Sequence, residues 1–421
     1  MARFCVPYGT GEACFDLPDG LAVDVIAPKE VPGAPDPLRT VEEALAAPLA
    51  FRWEDWTGIR TVAVAVNDKT RPVPHEVLLP PLLKRLEDLG VSPERITFFI
   101  ANGTHAPMTP DEYGKVLPPE VLGRYPVVSH DADRPEEMEY LGETSRGTPV
   151  WVNRAYWQAD LRVAVGNVEP HQFAGFSGGV KTVVIGLGAR AEIDRNHALM
   201  MQPGAEMGRY GGNPVREDIE EAGDKIGVHL ALNAILNLHG EVVQALAGAP
   251  KAVMEAGVPI SQEICMVSVP QPYDLVISSP GGHPKDINLY QAQKGLRHAA
   301  QVVRPGGGLI LVSACVEGTG SHSYEAFMEQ VSSVEEALER FAQQPFRVGP
   351  HKAFLIAQDM RRAMVVLVSQ LDAGLVRRLL FRPATSVQAA LDEILPDLPS
   401  GARVAILPKA SSTVPRVAGS G

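Results

Sequence analysis

Cysteine is scarce in this 421-residue chain: Cys5, Cys14, Cys265 and Cys315 are scattered, with no CxxC spacing among them. The sequence therefore points neither to a disulfide framework nor to a thiolate zinc site. Long apolar runs are also missing, and no uninterrupted stretch reaches the roughly 18 residues of a membrane-spanning helix. The opening residues, MARFCVPYGTGEACF, lack the charged start, apolar core and small-residue cleavage site of a signal peptide. These absences lead us to expect a cytoplasmic protein in a reducing environment with no membrane partner. Positive charge is not in excess: 38 lysines and arginines face 50 aspartates and glutamates, for a net charge of −12. That balance argues against nucleic acid as a partner, while a local basic pocket for a small anion stays open. HEXXH and the carboxylate-rich calcium pattern are absent too.

The rest is an ordinary globular composition, 45% hydrophobic and 21% charged, on a chain too long for one core, so two domains are expected. Short β-rich runs end in glycine-bearing polar loops and lead into helical patterns, the rhythm of α/β domains with largely parallel sheets. TVAVAVND (61–68), RITFFIANGTH (95–105) and LRVAVGNVEPH (161–171) are three such strand-and-loop units. YDLVISSPGGHPKD (273–286) and GGGLILVSACVEGTG (306–320) repeat the pattern in a second block, with VSVPQPYD (267–274) as the expected linker. The small-residue tail after Lys409 is expected to fray. In open α/β sheets the carboxyl ends of the strands carry the ligand, so the three N-terminal loops should converge on one crevice.

Those loops hold the chemistry. DKTRPVP puts Asp68, Thr70 and Arg71 at a strand end, where a guanidinium forks onto a carboxylate or phosphate; a surface ion pair is the bland alternative. NGTH lifts His105 off the next strand end as a candidate proton acceptor, although a lone histidine is more often structural. HQFAGFSGGVKT brackets Ser177, Gly178 and Gly179 between His171 and Lys181. It misses the phosphate-binding pattern G-x-x-x-x-G-K-[ST] by one residue, Val180. Its bare amides form a candidate anion nest, or the glycines only serve a tight turn. DRNHALM adds His197 on a helix; with His105 and His171 it makes either a tri-histidine zinc set or two bases and one metal ligand. NLYQAQKG sets Tyr290 and Gln291 on the helix face of Lys294, suited to a carboxylate or merely solvated.

Taken in order, DKTRPVP, ANGTH, HQFAGFSGGVK, the histidine of DRNHALM and YQAQKG resemble the nickel-pincer lactate racemase family of 2-hydroxyacid racemases and epimerases. The resemblance implies a cofactor-binding α/β domain over residues 1–268, a substrate-closing α/β domain over 269–421, and an active site in the interdomain cleft. It implies nickel and a pyridinium-3,5-bisthiocarboxylic acid mononucleotide covalently attached through Lys181, with His197 as a further nickel ligand. Asp68, Thr70, Ser177, Gly178 and Gly179 would contact that cofactor, and His105 and His171 would be the acid/base pair. Arg71, Lys294, Tyr290 and Gln291 would hold a small 2-hydroxyacid. Racemisation would proceed by reversible hydride transfer through a planar 2-oxoacid, and cofactor-assembly enzymes would be partners. Two departures stand out. Lys181 is followed by TVVIGLG where many relatives have a proline-glycine turn. All four tryptophans precede residue 160, so the aromatic wall that a C-terminal tryptophan contributes in lactate-specific members has no tryptophan counterpart; the local stretch is RVGPHKAFLIAQ. The alternatives are a tri-histidine metal-dependent hydrolase, a P-loop-like phosphotransferase and a non-enzymatic cofactor carrier.

Overall fold

The computed structural model describes residues 1–418, which form two compact α/β units. One unit is Glu30–Ile264; the other combines Met1–Lys29 with the chain from Cys265 onward. The expected domain 1–268 is therefore corrected at its start. The first 29 residues belong with the C-terminal half, because Ala22–Val25 pairs in parallel with Arg403–Leu407 and completes that sheet. The boundary falls at the end of the helix Pro250–Cys265. The expected linker is ordered: Met266–Val269 pairs with Val414–Val417. The same pairing orders the tail expected to fray; only residues 419–421 of that tail lie outside the described part.

In the 30–264 unit a six-stranded sheet runs Val242–Gly248, Leu230–Leu236, Leu161–Asn167, Val62–Asn67, Ile96–Ala101, Val127–Ser129. All neighbours are parallel except the first pair. The inner strands read as near-continuous apolar runs because helices cover both faces, as a parallel sheet requires. Val62, Val64 and Val66 pack with Leu78, Leu82 and Leu86 of the helix His75–Asp88 and with Phe98 and Ile100. After the second of the quoted strand-and-loop units the chain forms a 3-10 segment, Pro110–Lys115, opened by a capping box between Thr109 and Glu112.

The other unit holds a six-stranded, wholly parallel sheet, with Val303–Val312 and Tyr273–Ser278 at its centre. A hairpin, Ala2–Tyr8 with Gly11–Leu17, lays Val6, Phe15 and Leu17 on that core. Across the hairpin Cys5 and Cys14 are joined by a disulfide, contrary to the expectation of unpaired thiols. Sequence spacing could not reveal it, because only the strand register sets the two residues opposite each other.

Each unit buries a histidine whose charged form is disfavoured by loss of solvation. Burial holds His75 and His298 near pKa about 4, only partly offset by the carbonyls of Val116 and Thr413 that their Nδ1–H groups reach. Between pH 6.5 and 4 the unfolded chain binds more protons than the folded one, so stability falls as pH falls through that window. Each histidine contributes a loss on the order of 3 kcal/mol by its lower limit. The urea midpoint should drop between pH 7 and 4.5, with a shallower slope in His75→Gln; equal slopes would assign the acid sensitivity elsewhere.

Candidate active site

The strands Leu161–Asn167, Val62–Asn67 and Ile96–Ala101 are neighbours in the sheet and run the same way. The loops after them must therefore leave from one edge, and they line one cavity of about 120 Å³. Asp68, Thr70, Arg71, His105, His171, Ser177, Gly178, Lys181 and His197 all reach it. The convergence expected of the three N-terminal loops holds within this unit.

His105 is aimed by a carboxylate. Its Nδ1–H donates to Asp68 Oδ2 at 2.7 Å, while the Thr70 hydroxyl and amide donate to Oδ1 at 2.7 and 3.1 Å. Burial alone would raise the Asp68 carboxyl, but the His105 and Thr70 hydrogen bonds outweigh it and hold the group below its ordinary value. The ionised carboxylate keeps the proton of a neutral His105 on Nδ1 and leaves Nε2 as the basic atom. His171 is set the other way: its Nδ1 accepts the Ala174 amide at 3.3 Å. The cavity thus presents two imidazoles, His105 held by a carboxylate and His171 by a backbone amide.

The glycine-rich turn does not work as the expected anion nest. The Ser177 amide donates to Glu169 O at 2.7 Å and the Gly179 amide to Asn233 Oδ1 at 2.7 Å, so two of its three bare amides are already satisfied. Gly179 does not line the cavity. The glycines are needed for backbone shape: Gly178 has φ +95 and Gly179 φ +59, and a Cβ on Gly179 would stand 2.7 Å from Met254. Arg216, 1% exposed, locks the turn by donating to the carbonyls of Phe176 and Gly178 at 3.2 and 3.1 Å, with Glu220 as its counter-ion. Val180 explains the broken P-loop pattern. It is a core residue whose side chain fills the space over Gly223, where an added Cβ would meet it at 2.6 Å.

Lys181 opens the short helix Lys181–Val184. Burial, then the Arg71 and Arg216 cations, lowers its pKa to about 7, against a smaller opposing effect of Glu169. A fraction of its amine is therefore neutral and nucleophilic at physiological pH. His197, in the helix Arg190–Ala198, is lowered to about 3 by burial and then by Lys181 and Arg71, so its ring stays neutral, as a metal ligand must be. Phe173 stands edge-on to both His171 and His197, with ring centres 4.7 and 5.1 Å away. Among the described residues, no three of these histidines and neighbouring carboxylates bring ligand atoms within 4.8 Å of one another. The tri-histidine zinc alternative is corrected on that ground.

Lys294, Tyr290 and Gln291 lie in the other unit, on the helix Leu289–Ala299, whose cap Asn288 accepts the Gln291 amide at 3.0 Å. RVGPHKAFLIAQ forms the start of the helix Pro350–Arg362 there, and Lys352 Nζ sits 4.4 Å over the centre of the Tyr290 ring. A cation thus stacks on Tyr290 in the segment that lacks a tryptophan.

Residues 8–208 match the lactate racemase N-terminal domain and residues 269–414 the lactate racemase C-terminal domain. The lactate racemase of Thermoanaerobacterium thermosaccharolyticum is 30% identical over 348 residues, 81% of each chain. The chain belongs to the lactate racemase family. The lactate racemase of Lactiplantibacillus plantarum is 28% identical over 378 residues, 88% of each chain. The solved apoprotein of the Thermoanaerobacterium enzyme superposes with a TM-score of 0.92 at 26% identity, covering 99% of this chain and all of that one. A Thermotoga maritima protein shares the fold, with a TM-score of 0.67 at 18% identity over 92% of this chain and all of its own. Racemases are isomerases, so the chain is an enzyme of that class, and family membership implies a cofactor. No helix among the described residues is long and apolar enough to cross a membrane.

Sequence reasoning missed the residues that shape the site from behind. Glu169 lies within the quoted LRVAVGNVEPH loop and was legible as a carboxylate near Lys181. Arg216 and Asn233 act on the turn through backbone groups, from a helix and a strand remote in sequence, and no local signal announces them.

Proposed function

We propose that the chain interconverts the enantiomers of a short 2-hydroxycarboxylic acid, with lactate as the first candidate. The observation that carries this reading is the convergence of His105, aimed by Asp68, and of His171 on one cavity with the Lys181 amine. Inverting a carbinol centre exposes the hydroxyl from either side, so one imidazole accepts its proton while neutral and the other returns one as imidazolium, the two exchanging these states when the reaction runs in reverse.

The donor set fits the nickel-pincer nucleotide: a buried amine with pKa about 7 suits a covalent tether, and a neutral imidazole at His197 suits a nickel ligand. Lys181 would hold the nucleotide and His197 the nickel; when bound, the group supplies a hydride acceptor and avoids a carbanion beside a carboxylate. His105, aimed by Asp68, takes the hydroxyl proton at Nε2, and His171 serves the opposite hand. Arg71 grips the substrate carboxylate, and Lys294, Tyr290 and Gln291 complete the binding set. Asp68 and Thr70 orient His105 through contacts that engage both carboxylate oxygens. Ser177 and Gly178 line the cofactor side of the cavity, whereas Gly179 supports the turn. Cofactor-assembly enzymes are the proposed partners and the cytoplasm the proposed compartment.

The test is production of the chain together with cofactor-assembly enzymes, followed by intact mass, nickel analysis and a panel of single-enantiomer 2-hydroxyacids read by chiral chromatography. The expected result is a mass increase on Lys181, bound nickel and racemisation of at least one acid. An unmodified Lys181 with every acid optically unchanged would reject the reading.

A further inference from the structure

We propose that the Cys5–Cys14 disulfide is the oxidised, metal-free form of a surface site. Once reduced, it binds a divalent cation of the zinc class through Cys5, Cys14 and Glu12. The site lies on the N-terminal hairpin, outside the racemase cavity, and does not depend on the function proposed above.

The register makes the cluster. Cys5 stands directly opposite Cys14, and Pro7 opposite Glu12, on the next rung of the same face. Glu12 and Cys14 are two residues apart on one strand, so their side chains share a face. One ligand atom from each of Cys5, Glu12 and Cys14 lies within 4.8 Å of the others, and all three residues are exposed. Two thiolates and a carboxylate are ligands that zinc and its neighbours take at about 2.0–2.3 Å, and a fourth position is left for water.

The hairpin does not need the sulfur–sulfur bond to hold these groups in place. Its opposite face buries Val6, Phe15 and Leu17 in the core of the same unit. Its turn is pinned by the Gly9 amide, which donates to Asp286 Oδ2 at 2.7 Å, and seven residue pairs keep the strands in register. Opening the bond therefore leaves two thiols facing each other beside a carboxylate on a stiff ribbon. An exposed disulfide is also open to thiol exchange.

The chemistry balances with an external dithiol as reductant. Its two sulfurs become a disulfide, while Cys5 and Cys14 accept two electrons and two protons. Binding the cation then releases the two thiol protons to solvent and forms two metal–sulfur bonds. In the oxidised chain both sulfurs are committed to each other and the cation has no thiolate to bind.

Cobalt(II) is the probe, because thiolate ligands give it a sulfur-to-metal charge-transfer absorption that histidine or carboxylate ligands do not. The full chain, reduced with a phosphine and freed of it under nitrogen, is titrated with cobalt and then with zinc. We expect one equivalent of a thiolate–cobalt band that zinc abolishes, with no band in the oxidised chain or in Cys14→Ser. Glu12→Gln should retain the band with affinity weaker by roughly ten-fold or more, on the scale of losing a metal-site contact. A thiol count on the same sample, denatured, shows that Cys5 and Cys14 are reduced when it rises from the two of Cys265 and Cys315 to four. Four thiols without a cobalt band would overturn the proposal. So would a band that survives in Cys14→Ser, which would place the metal on other sulfurs, or a disulfide that resists reduction in the folded chain.

Discussion

Lys181→Gln is expected to leave a folded protein that gains no mass from cofactor-assembly enzymes and racemises no 2-hydroxyacid above background. Glutamine approximates the length of lysine but has no nucleophilic amine, so the tether cannot form. The loss should be complete rather than graded, because in the proposed function the cofactor would carry the hydride chemistry and the protein would supply only position and proton transfer. A second effect separates this from unfolding. Lys181 has its pKa lowered from 10.5 to about 7 by burial and then by Arg71 and Arg216. In the cofactor-free chain the charged form is therefore penalised below pH 7. Between pH 7 and 10.5 the unfolded state binds more protons, so stability rises with pH across that window. Lys181→Gln should remove that rise while remaining as stable as the parent, or more so, at pH 6. Denaturant midpoints at pH 6, 7.5 and 9 check it, and a mutant that still gains the cofactor mass would move the tether to another residue.

The second large effect concerns the role proposed for His105 as a base. His105→Ala should keep the tether and nickel but lower kcat by about 10²–10⁴-fold, the usual contribution of a general acid or base. Asp68→Asn should fall in the same range for a different reason. An asparagine amide can donate to His105 Nδ1, which moves the ring proton to Nε2 and blocks the basic atom. The double substitution should then cost little more than His105→Ala alone, because the two residues act as one unit. Rates for both enantiomers, with nickel content as the control, decide the matter. Wild-type kcat in Asp68→Asn would show that the carboxylate plays no part in orienting the base. Loss of nickel in His105→Ala with retention in His197→Ala would reverse the roles given to those two histidines.

Much of the site was legible because its residues sit in short strand-end loops whose local chemistry is written in consecutive letters. DKTRPVP, NGTH and HQFAGFSGGVKT each end a strand, and a parallel sheet carries all three ends to one edge. The anion nest failed for a tertiary reason. Whether a glycine amide faces a ligand or the protein depends on what packs behind it, and here Asn233 and Glu169 O claim two of the three. Val180 is similar: as a broken motif it posed a puzzle, and as a side chain packed over Gly223 it is a core residue. The linker expected at 267–274 misread two prolines as a boundary, when the preceding residues pair with the very tail expected to fray.

Apolar strand runs, glycine-bearing loops and helical patterns in alternation determined by themselves that this is an α/β protein with chemistry at its strand ends. The order of five motifs determined the family. Both depend on near neighbours in sequence, where steric and hydrogen-bonding preferences act directly. Tertiary structure alone decided what holds each imidazole, Asp68 for His105 and the Ala174 amide for His171. It alone placed residues 1–29 in the C-terminal unit, through strand pairing across more than 370 residues of chain. It alone set Cys5 against Cys14, because hairpin register, and not spacing, brings two sulfurs within bonding distance.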